Sequence, residues 1–600
     1  MAPHRSARPD LVDAVRRTAE MAPQRKAVGL VSDPDNEHEG SLTSYSQIDE
    51  DARRVAAVLQ ELGIPAGSRV LLLFPSSVAF VAGFLGTLYA GMIAVPAPLP
   101  TATSSARRRV GLLARDCGAA AVVTVTATRA EVQEWAGENG FADTPVLDVE
   151  ALPPGVGADA WTEVPRTPET VALLQYTSGS TGHPKGVMVT HRNITENAEL
   201  LCRHLGLPEG ARFGGWAPMH HDMGLFGLLT PALLTGSRCL MMDSFTFLRR
   251  PYLWLRMIER YGITFSPGPN FAYDHCVRRV SGEEIARLDL SGWLRACNGS
   301  EPIQAGTLRR FTEAFAPTGF RPESMTACYG LAEHTVFVSS RLGGTKVLNA
   351  DAELLERHVH APAQQGRPSR ELVSCGPVAA GEVLIAAPDT GLPVGPGRIG
   401  EIRLRGGSVA HGYWEKPEAT ARTFLPAPAG DSPGDGPGVT LRTGDLGMVH
   451  DGELYITGRI KELLIVHGRN LHPHDIEHEL RERHAGLGAV GAVFTVPEGP
   501  DGAETVVVSH EIEGRPSEEA AAELVKELRG TLAREFGIHA GGVVLVGRGR
   551  ISRTTSGKVE RNAVRASFLD GSLVTRYADR GARRLAGSRV PQGPVQVVPG

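Results

Sequence analysis

Short apolar runs alternate with amphipathic stretches along most of the chain. Apolar residues dominate 70–74, 92–95, 120–125, 171–174 and 187–189. Runs of this length bounded by turn residues predict strands buried on both faces. Between them, 50–62, 106–116 and 307–316 carry apolar residues at helical spacing. Strands alternating with helices predict an α/β fold with layered, largely parallel sheets. The stretch 70–98 has no charged residue, which would suit a membrane span. Pro75 and the Ser76-Ser77 pair interrupt it, and it reads better as strand 70–74, helix 78–89 and strand 92–95 of a buried core. No internal repeat is visible. Three segments, 342–370, 426–438 and 586–600, are expected to be loose. The last two are rich in Gly and Pro and read as a surface loop and a disordered tail.

Length and charge narrow the class. A chain of 600 residues is long enough for several domains. Its 62 Lys and Arg nearly balance 67 Asp and Glu, so neither a nucleic-acid surface nor a polybasic membrane patch is expected. The 7 cysteines are scattered without a Cys-x-x-Cys pair. That pattern suits a reduced, cytoplasmic protein and implies neither a zinc site nor a disulfide scaffold. The opening residues lead into no apolar signal core.

The most informative stretch is 176–186, Tyr-Thr-Ser-Gly-Ser-Thr-Gly-His-Pro-Lys-Gly. Gly179 and Gly182 let the backbone turn sharply and approach a ligand closely. Backbone N–H groups and the hydroxyls of Thr177, Ser178, Ser180 and Thr181 can donate to phosphate oxygens. Lys185 adds a mobile positive charge. The spacing is not that of a P-loop, because Lys185 stands between Pro184 and Gly186. A solvated linker is the competing reading. The apolar runs on either side favour a turn between two strands, and the loop reads as a nucleotide-phosphate holder.

Further motifs follow in order: His220-His-Asp-Met-Gly-Leu, Asn298-Gly-Ser-Glu-Pro, Tyr329-Gly-Leu-Ala-Glu, Arg442-Thr-Gly-Asp-Leu-Gly, Gly458-Arg-Ile-Lys-Glu and Thr554-Thr-Ser-Gly-Lys-Val-Glu-Arg. Each alone is weak. Together, over about 42–568, they resemble the adenylate-forming superfamily of acyl-CoA synthetases, peptide-synthetase adenylation domains and luciferases. Trp216-Ala-Pro-Met-His-His-Asp-Met-Gly-Leu, Ser266-Pro-Gly-Pro-Asn-Phe-Ala-Tyr-Asp and Gly468-Arg-Asn-Leu-His-Pro-His-Asp-Ile-Glu narrow the resemblance to its fatty acyl-AMP ligases. The stretch 342–373 sits where that branch carries an extra segment, which the family links to poor use of coenzyme A.

The resemblance implies a large N-terminal AMP-binding domain over 1–457, with layered parallel sheets, a distorted β-barrel and an acyl pocket. It implies a hinge at 458–461, a small mobile α+β domain over 462–572 and a disordered tail over 573–600. The implied reaction joins a fatty acid to ATP, giving acyl-adenylate and pyrophosphate, and then passes the acyl group to the phosphopantetheine thiol of an acyl carrier protein. Residues 177–182 (Thr177, Ser178, Gly179, Ser180, Thr181, Gly182) and Lys185 would hold the phosphates. Glu333, with Thr177, would bind Mg²⁺, a hard cation suited to carboxylate and phosphate oxygens. Tyr329 and Gly330 would meet the adenine, although an ordinary core aromatic remains open for Tyr329. Gly299, Ser300, Glu301 and Pro302 would line the adenine with backbone, with a plain turn as the competing reading. Asp445 would accept from the ribose hydroxyls, with Arg459 near ribose and phosphate.

Lys558 is the principal catalytic candidate, because a flexible ammonium can offset charge that grows at the α-phosphate. Lys461 falls at the hinge, and His221 at a position that gates or lines the acyl pocket. Trp216, Met219, Met223, Phe226, Met241, Met242, Phe245 and Phe247 either line an acyl tunnel or form plain core. Three rival readings remain: an acyl-CoA ligase, an amino-acid-activating domain with Asp222 holding an ammonium group, and a non-catalytic protein that binds acyl-adenylate. The family pattern is departed from at His183, Leu441, His472 and His474.

Overall fold

The strand Arg69–Leu73 shows why the chain builds layers. Val70 and Leu72 enter one core cluster, while Leu71 and Leu73 enter another on the opposite face. A strand buried on both faces needs an unbroken apolar run, and the sequence supplies one. The following helix, Ala79–Tyr89, is buried nearly all round. At Gly86 a Cβ would stand 2.6 Å from Val55 of the helix Tyr45–Glu61, so the glycine lets the two helices close. The uncharged stretch is therefore a packed α/β core, as expected. No helix among the described residues is long and apolar enough to cross a membrane.

The computed structural model describes residues 9–36, 42–100, 104–177, 184–379, 381–426, 438–466, 469–498, 503–554 and 557–585. The expected loops at 178–183 and 427–437 and the tail from 586 lie outside these residues. Contacts divide the chain into two units. The first comprises Met1–Leu348, Glu371–Thr443 and Gly447–Ile456; the second comprises Asn349–Arg370, Gly444–Leu446 and Thr457–Gly600.

The first unit is built on two mostly parallel sheets. One runs Val146–Asp148, Ala121–Thr124, Arg69–Leu73, Ile93–Ala97, Val171–Thr177, Lys185–Thr190, and only its last pair is antiparallel. The other has eight strands, with Met325–Tyr329, Arg295–Gly299, Phe265–Pro269, Arg212–Gly215, Arg238–Met241 and Lys26–Leu30 parallel in its centre. The layered, largely parallel architecture is as expected. A third sheet of seven strands pairs antiparallel where its registers are resolved, and its strand order closes no barrel among the described residues.

The second unit has a four-stranded mixed sheet, Leu487–Glu498, Ala503–Ile512, Ala540–Val546 and Thr575–Ala578. The helices Pro473–Arg483, Glu518–Thr531, Arg561–Leu569 and Arg580–Leu585 accompany it. The start of the stretch 573–600, expected to be a disordered tail, is instead ordered: Thr575–Ala578 pairs antiparallel with Ala540–Val546, and Arg580–Leu585 is helical.

The segment 342–370, expected to be loose, is ordered. It holds the strand Val347–Asp351 and the helix Ala352–Glu356, capped by Asp351, which accepts from the Leu354 N–H at 3.0 Å. Its weak periodicity hid these elements, and they are held by long-range ion pairs. Glu356 receives Arg469 through two bonds of 2.8 Å. Arg370 reaches Asp475 at 2.9 Å and the Thr457 carbonyl at 2.9 Å. The sequence placed this insertion with the N-terminal part, whereas the contacts group Asn349–Arg370 with the second unit. His474, buried, and His472, partly buried, two of the departures from the family pattern, lie beside Arg370, and desolvation, then that cation, holds both rings well below the usual imidazole range.

Candidate active site

The strands on either side of the expected phosphate loop pair antiparallel. Val171–Thr177 pairs with Lys185–Thr190 in the register Thr177 opposite Lys185 and Tyr176 opposite Gly186. Gly186 is required: a Cβ there would lie 2.9 Å from the Tyr176 ring. The Tyr176 phenol donates to Asp116 at 2.8 Å, and Lys416 pairs with the other oxygen of Asp116. Burial, then the acidic neighbours, pushes the Tyr176 phenol far up, so it remains a donor. Tyr176, Asp116 and Lys416 thus clamp the base of the hairpin. Of the sequence candidates, Ser178, Gly179, Ser180, Thr181 and Gly182 lie outside the described residues.

A third segment, 411–414, runs along the hairpin. The Met188 N–H donates to the Gly412 carbonyl at 2.8 Å, the His411 N–H to Met188 at 2.9 Å and the Trp414 N–H to Gly186 at 2.8 Å. This pairing delivers Tyr413, whose hydroxyl donates to Glu333 Oε1 at 2.8 Å. The Lys185 ammonium lies over the Tyr413 ring, 4.9 Å from its centre, a favourable cation–π contact. Burial, then the Glu333 charge, raises the Tyr413 phenol. Lys185 and Glu333, expected to act on phosphates and metal, are therefore joined through one tyrosine that the sequence motifs did not single out.

Glu333 sits on the short 3-10 turn Ala332–His334. The Glu333 carbonyl accepts from the Ala410 N–H at 2.9 Å, and the loops on either side of that bond are held by two buried asparagines one turn apart on the helix His191–His204. Asn197 donates to the carbonyls of His334 at 3.1 Å and Phe337 at 2.8 Å and accepts from the Phe337 N–H at 3.1 Å. Asn193 donates to the carbonyls of Gly407 at 2.7 Å and Val409 at 3.0 Å. The helix starts where the hairpin ends, with Thr190 and Asn193 forming a reciprocal capping box. One continuous piece of chain thus carries Lys185 and orients the loops that bear Glu333 and Tyr413. The signal for this was an i, i+4 pair of asparagines on an amphipathic helix.

The proposed adenine wall lies at the carboxyl ends of adjacent parallel strands, the usual ligand edge of such sheets. Pro269 is in register with Gly299, and Asn298 with Ala327, which brings 299–302 beside Tyr329 and Gly330. A Cβ on Gly299 would stand 3.0 Å from the Cys328 carbonyl, and one on Gly330 would stand 1.7 Å from that of Val336. Ser300 adopts φ 72, a left-handed backbone that costs a non-glycine residue about 1 kcal/mol or more and that clusters at ligand sites. Glu301 turns its side chain away into structure, accepting from the Phe271 N–H at 2.6 Å at the start of the helix Asn270–Arg279. Tyr329 is buried in the same core cluster as Ala332 and Phe337.

The acyl-side candidates join the same framework through Gln175, which donates from the hairpin strand to the His220 carbonyl at 3.0 Å. His221 Nδ1 lies 2.7 Å from Asp222 Oδ1, and the Met223 N–H also donates to Asp222 at 2.7 Å. Burial, then His221, pushes the His220 imidazole down to about 4. Phe226, Met241, Met242 and Phe247 are core residues. Phe245, a candidate tunnel residue, instead stands 64% exposed; its helix turns it outward while Phe247 takes the core position.

The second unit holds the remaining candidates. Asp445 is buried and accepts from Arg459 Nε at 2.6 Å. Lys461 is exposed on the short turn Ile460–Glu462. Lys558 closes a turn in which the Thr554 N–H donates to its carbonyl at 2.8 Å and its own N–H donates to Thr554 Oγ1 at 3.1 Å. Arg561, one turn on, pairs with Glu477 at 2.6 Å and with Glu462 at 3.0 Å, linking the Lys558 turn to the residue beside Lys461.

Residues 15–414 match the family model described as AMP-binding enzyme. The chain is 37% identical to the medium-chain-fatty-acid–[acyl-carrier-protein] ligase JamA of Moorena producens, over 94% of this chain and 95% of that protein. It is 35% identical to the long-chain-fatty-acid–AMP ligase FadD26 of Mycobacterium marinum, over 90% and 92%. Among solved structures, a fatty acyl-adenylate ligase from L. pneumophila in complex with acyl adenylate and pyrophosphate is 34% identical, with a TM-score of 0.72 over 96% of this chain and 98% of that one. Sequence likeness over nearly the whole length and the shared fold agree with the motif order, and the chain belongs to the AMP-binding enzyme family, on its fatty acyl-AMP ligase branch.

Proposed function

We propose that this protein is a fatty acyl-AMP ligase that loads an acyl carrier protein. In the first half-reaction a fatty carboxylate oxygen attacks the α-phosphorus of ATP, and the bond to the β-phosphate breaks, releasing pyrophosphate. In the second, the phosphopantetheine thiol of the carrier attacks the acyl carbon, loses its proton, and AMP leaves. The observation that carries this reading is the Lys185–Tyr413–Glu333 arrangement at the base of the phosphate hairpin. It sets a cation and an oriented carboxylate beside the turn that would cradle the phosphates.

The chain supplies positioning and charge rather than a covalent nucleophile. Lys185 offsets phosphate charge. Gly299, Ser300, Pro302, Tyr329 and Gly330 enclose the adenine, with Glu301 bracing that turn. Asp445, steadied by Arg459, accepts from the ribose hydroxyls. His221 borders the acyl group. Lys558 answers the charge that grows at the α-phosphate, and Lys461 is a pivot between the half-reactions. Mg²⁺, when bound with ATP, neutralises phosphate charge, and Glu333 with Thr177 would hold it; a carboxylate and a threonine oxygen suit so hard a cation. All seven cysteines are free, which supports a reducing, cytoplasmic setting.

The test offers a panel of fatty acids with ATP and Mg²⁺, and coenzyme A and phosphopantetheinylated carrier proteins in parallel, with mass spectrometry of the products. Acyl-AMP and acyl-carrier with little acyl-CoA is the expected result, and it also gives the chain-length preference. Efficient acyl-CoA formation without carrier loading would move the protein to the coenzyme A ligases.

A further inference from the structure

We propose that the exposed face of the short helix Ser244–Arg249 docks the acidic surface of the carrier protein, an inference that rests on the carrier being the acyl acceptor. Phe245 is 64% exposed and Leu248 45% exposed. Three residues apart on a helix, they share one face. Their neighbour Phe247 points the other way and stacks on Trp216, with ring centres 4.1 Å apart and planes 4° apart. The helix is thus pinned to the core by one aromatic while two large apolar side chains face water. Such side chains, grouped and rimmed by polar residues, mark interaction sites.

The rim is basic. The Arg249 guanidinium lies 5.7 Å from the Phe245 ring centre, and Arg250 follows. A ring nitrogen of His275 lies 3.0 Å from the Leu248 carbonyl, which brings the helix Asn270–Arg279 alongside, with exposed Arg278 and Arg279 in its last turn. Arg278 pairs with Asp274 at 2.7 Å and Arg250 lies 3.6 Å from Glu284. Arg249 and Arg279 make no ion pair among the described residues. Asp243 is occupied, accepting from the N–H groups of Phe245 at 2.9 Å and Thr246 at 3.1 Å and from Ser76 at 3.2 Å. The chain as a whole carries a net charge of −5, so a basic surface here is not a consequence of composition. An apolar centre with an arginine rim fits a partner with a small apolar patch ringed by carboxylates.

The position suits that partner. The helix follows the strand Arg238–Met241 at the carboxyl edge of the parallel sheet. Trp216, which it covers, starts the segment that leads to His220 and His221. A carrier seated there would stand on the outer wall of the acyl site.

Two variants test this: Phe245→Ser with Leu248→Ser, and Arg249→Glu with Arg279→Glu. All four residues lie outside the proposed catalytic groups. Pyrophosphate release and acyl-AMP formation are expected to stay within about twofold of the unmodified enzyme, while the KM for the carrier rises about tenfold in each variant. Added salt should raise the KM of the unmodified enzyme and leave that of the charge-reversal variant nearly flat. Replacing a carrier carboxylate by lysine should restore part of the loss. Carrier KM values unchanged in both variants would overturn the docking surface alone. An equal fall in adenylation would also overturn it and would assign the face to the enzyme's own architecture. An unmodified enzyme that acylates coenzyme A but no carrier would remove the acceptor reading and this inference with it.

Discussion

Tyr413 and Glu333, 80 residues apart in sequence, meet through a 2.8 Å hydrogen bond, with the Lys185 ammonium over the same tyrosine ring. The phenol is a donor to a carboxylate, and burial keeps it protonated. It orients Glu333 while its ring steadies the lysine. Tyr413→Phe keeps the ring and removes the donor. A hydrogen bond to a charged group is worth about 1.5–3 kcal/mol, so adenylation is expected to fall by about tenfold to hundredfold. Titrating Mg²⁺ at saturating ATP separates the cause: the variant should need more metal for half-maximal rate, and Glu333→Gln still more. An unchanged metal requirement would show that the phenol does not act through Glu333.

Asn197 makes three hydrogen bonds to the loop behind Glu333 while almost fully buried. Asn197→Leu keeps the branched shape, leaves the Phe337 N–H unpaired and takes one of two partners from each of the His334 and Phe337 carbonyls. The expected loss is about 1–3 kcal/mol of stability, visible as a lower thermal midpoint, together with a fall in adenylation of more than tenfold. A variant that melts lower but adenylates normally would mean that the loop keeps its shape without the amide.

Three histidines, the buried His334 and His510 and the partly buried His220, are held down to about 4 chiefly by burial of the ring, from an ordinary 6.5. The folded chain therefore refuses protons that the unfolded chain accepts. Their contribution is fully present above about pH 6.5 and is lost as the pH falls toward 4, with a slope approaching about 1.4 kcal/mol per pH unit for each histidine. Denaturant midpoints measured from pH 7.5 to 4.5 should fall steeply below 6.5. His334 Nδ1 lies 2.9 Å from the Phe337 carbonyl, a bond an asparagine amide can reproduce, so His334→Asn should flatten part of that fall. An unaltered slope would assign the acid sensitivity to other groups.

The parts that were legible in the sequence are those governed by local pattern. The apolar run at Val70–Leu73 announced a buried strand, and the apolar runs on either side of the glycine-rich stretch announced two strands, which pair antiparallel, because both signals lie within a few neighbours. Tyr413 was not legible. It reaches the site only because 411–414 pairs with 186–188, a contact no local pattern encodes. Asn193 and Asn197 read as ordinary polar positions until the loops they hold are seen. The segment 342–370 looked loose because its order rests on Glu356 with Arg469 and Arg370 with Asp475, ion pairs of long sequence separation. Phe245 looked like a pocket residue by hydrophobicity alone, and only the helix phase showed that it faces out.

Lys558 and Lys461 should separate the two half-reactions. The turn Thr554–Lys558 is closed by its own backbone and the Thr554 hydroxyl, so Lys558→Ala should leave the fold intact while abolishing pyrophosphate exchange. Lys461 is exposed and sits beside Glu462, which Arg561 holds at 3.0 Å. A proline at 461 restricts the backbone without removing any group assigned to adenylation, and a pivot must absorb a large backbone change. Lys461→Pro is therefore expected to make acyl-AMP at near the normal single-turnover rate and to load the carrier at least tenfold more slowly. Arg561→Gln, which weakens the link between the Lys558 turn and the turn Ile460–Glu462, should slow both steps. Equal loss of both steps in Lys461→Pro would place that residue in the catalytic arrangement rather than at a pivot, and near-normal exchange in Lys558→Ala would transfer the charge-stabilising role to another cation.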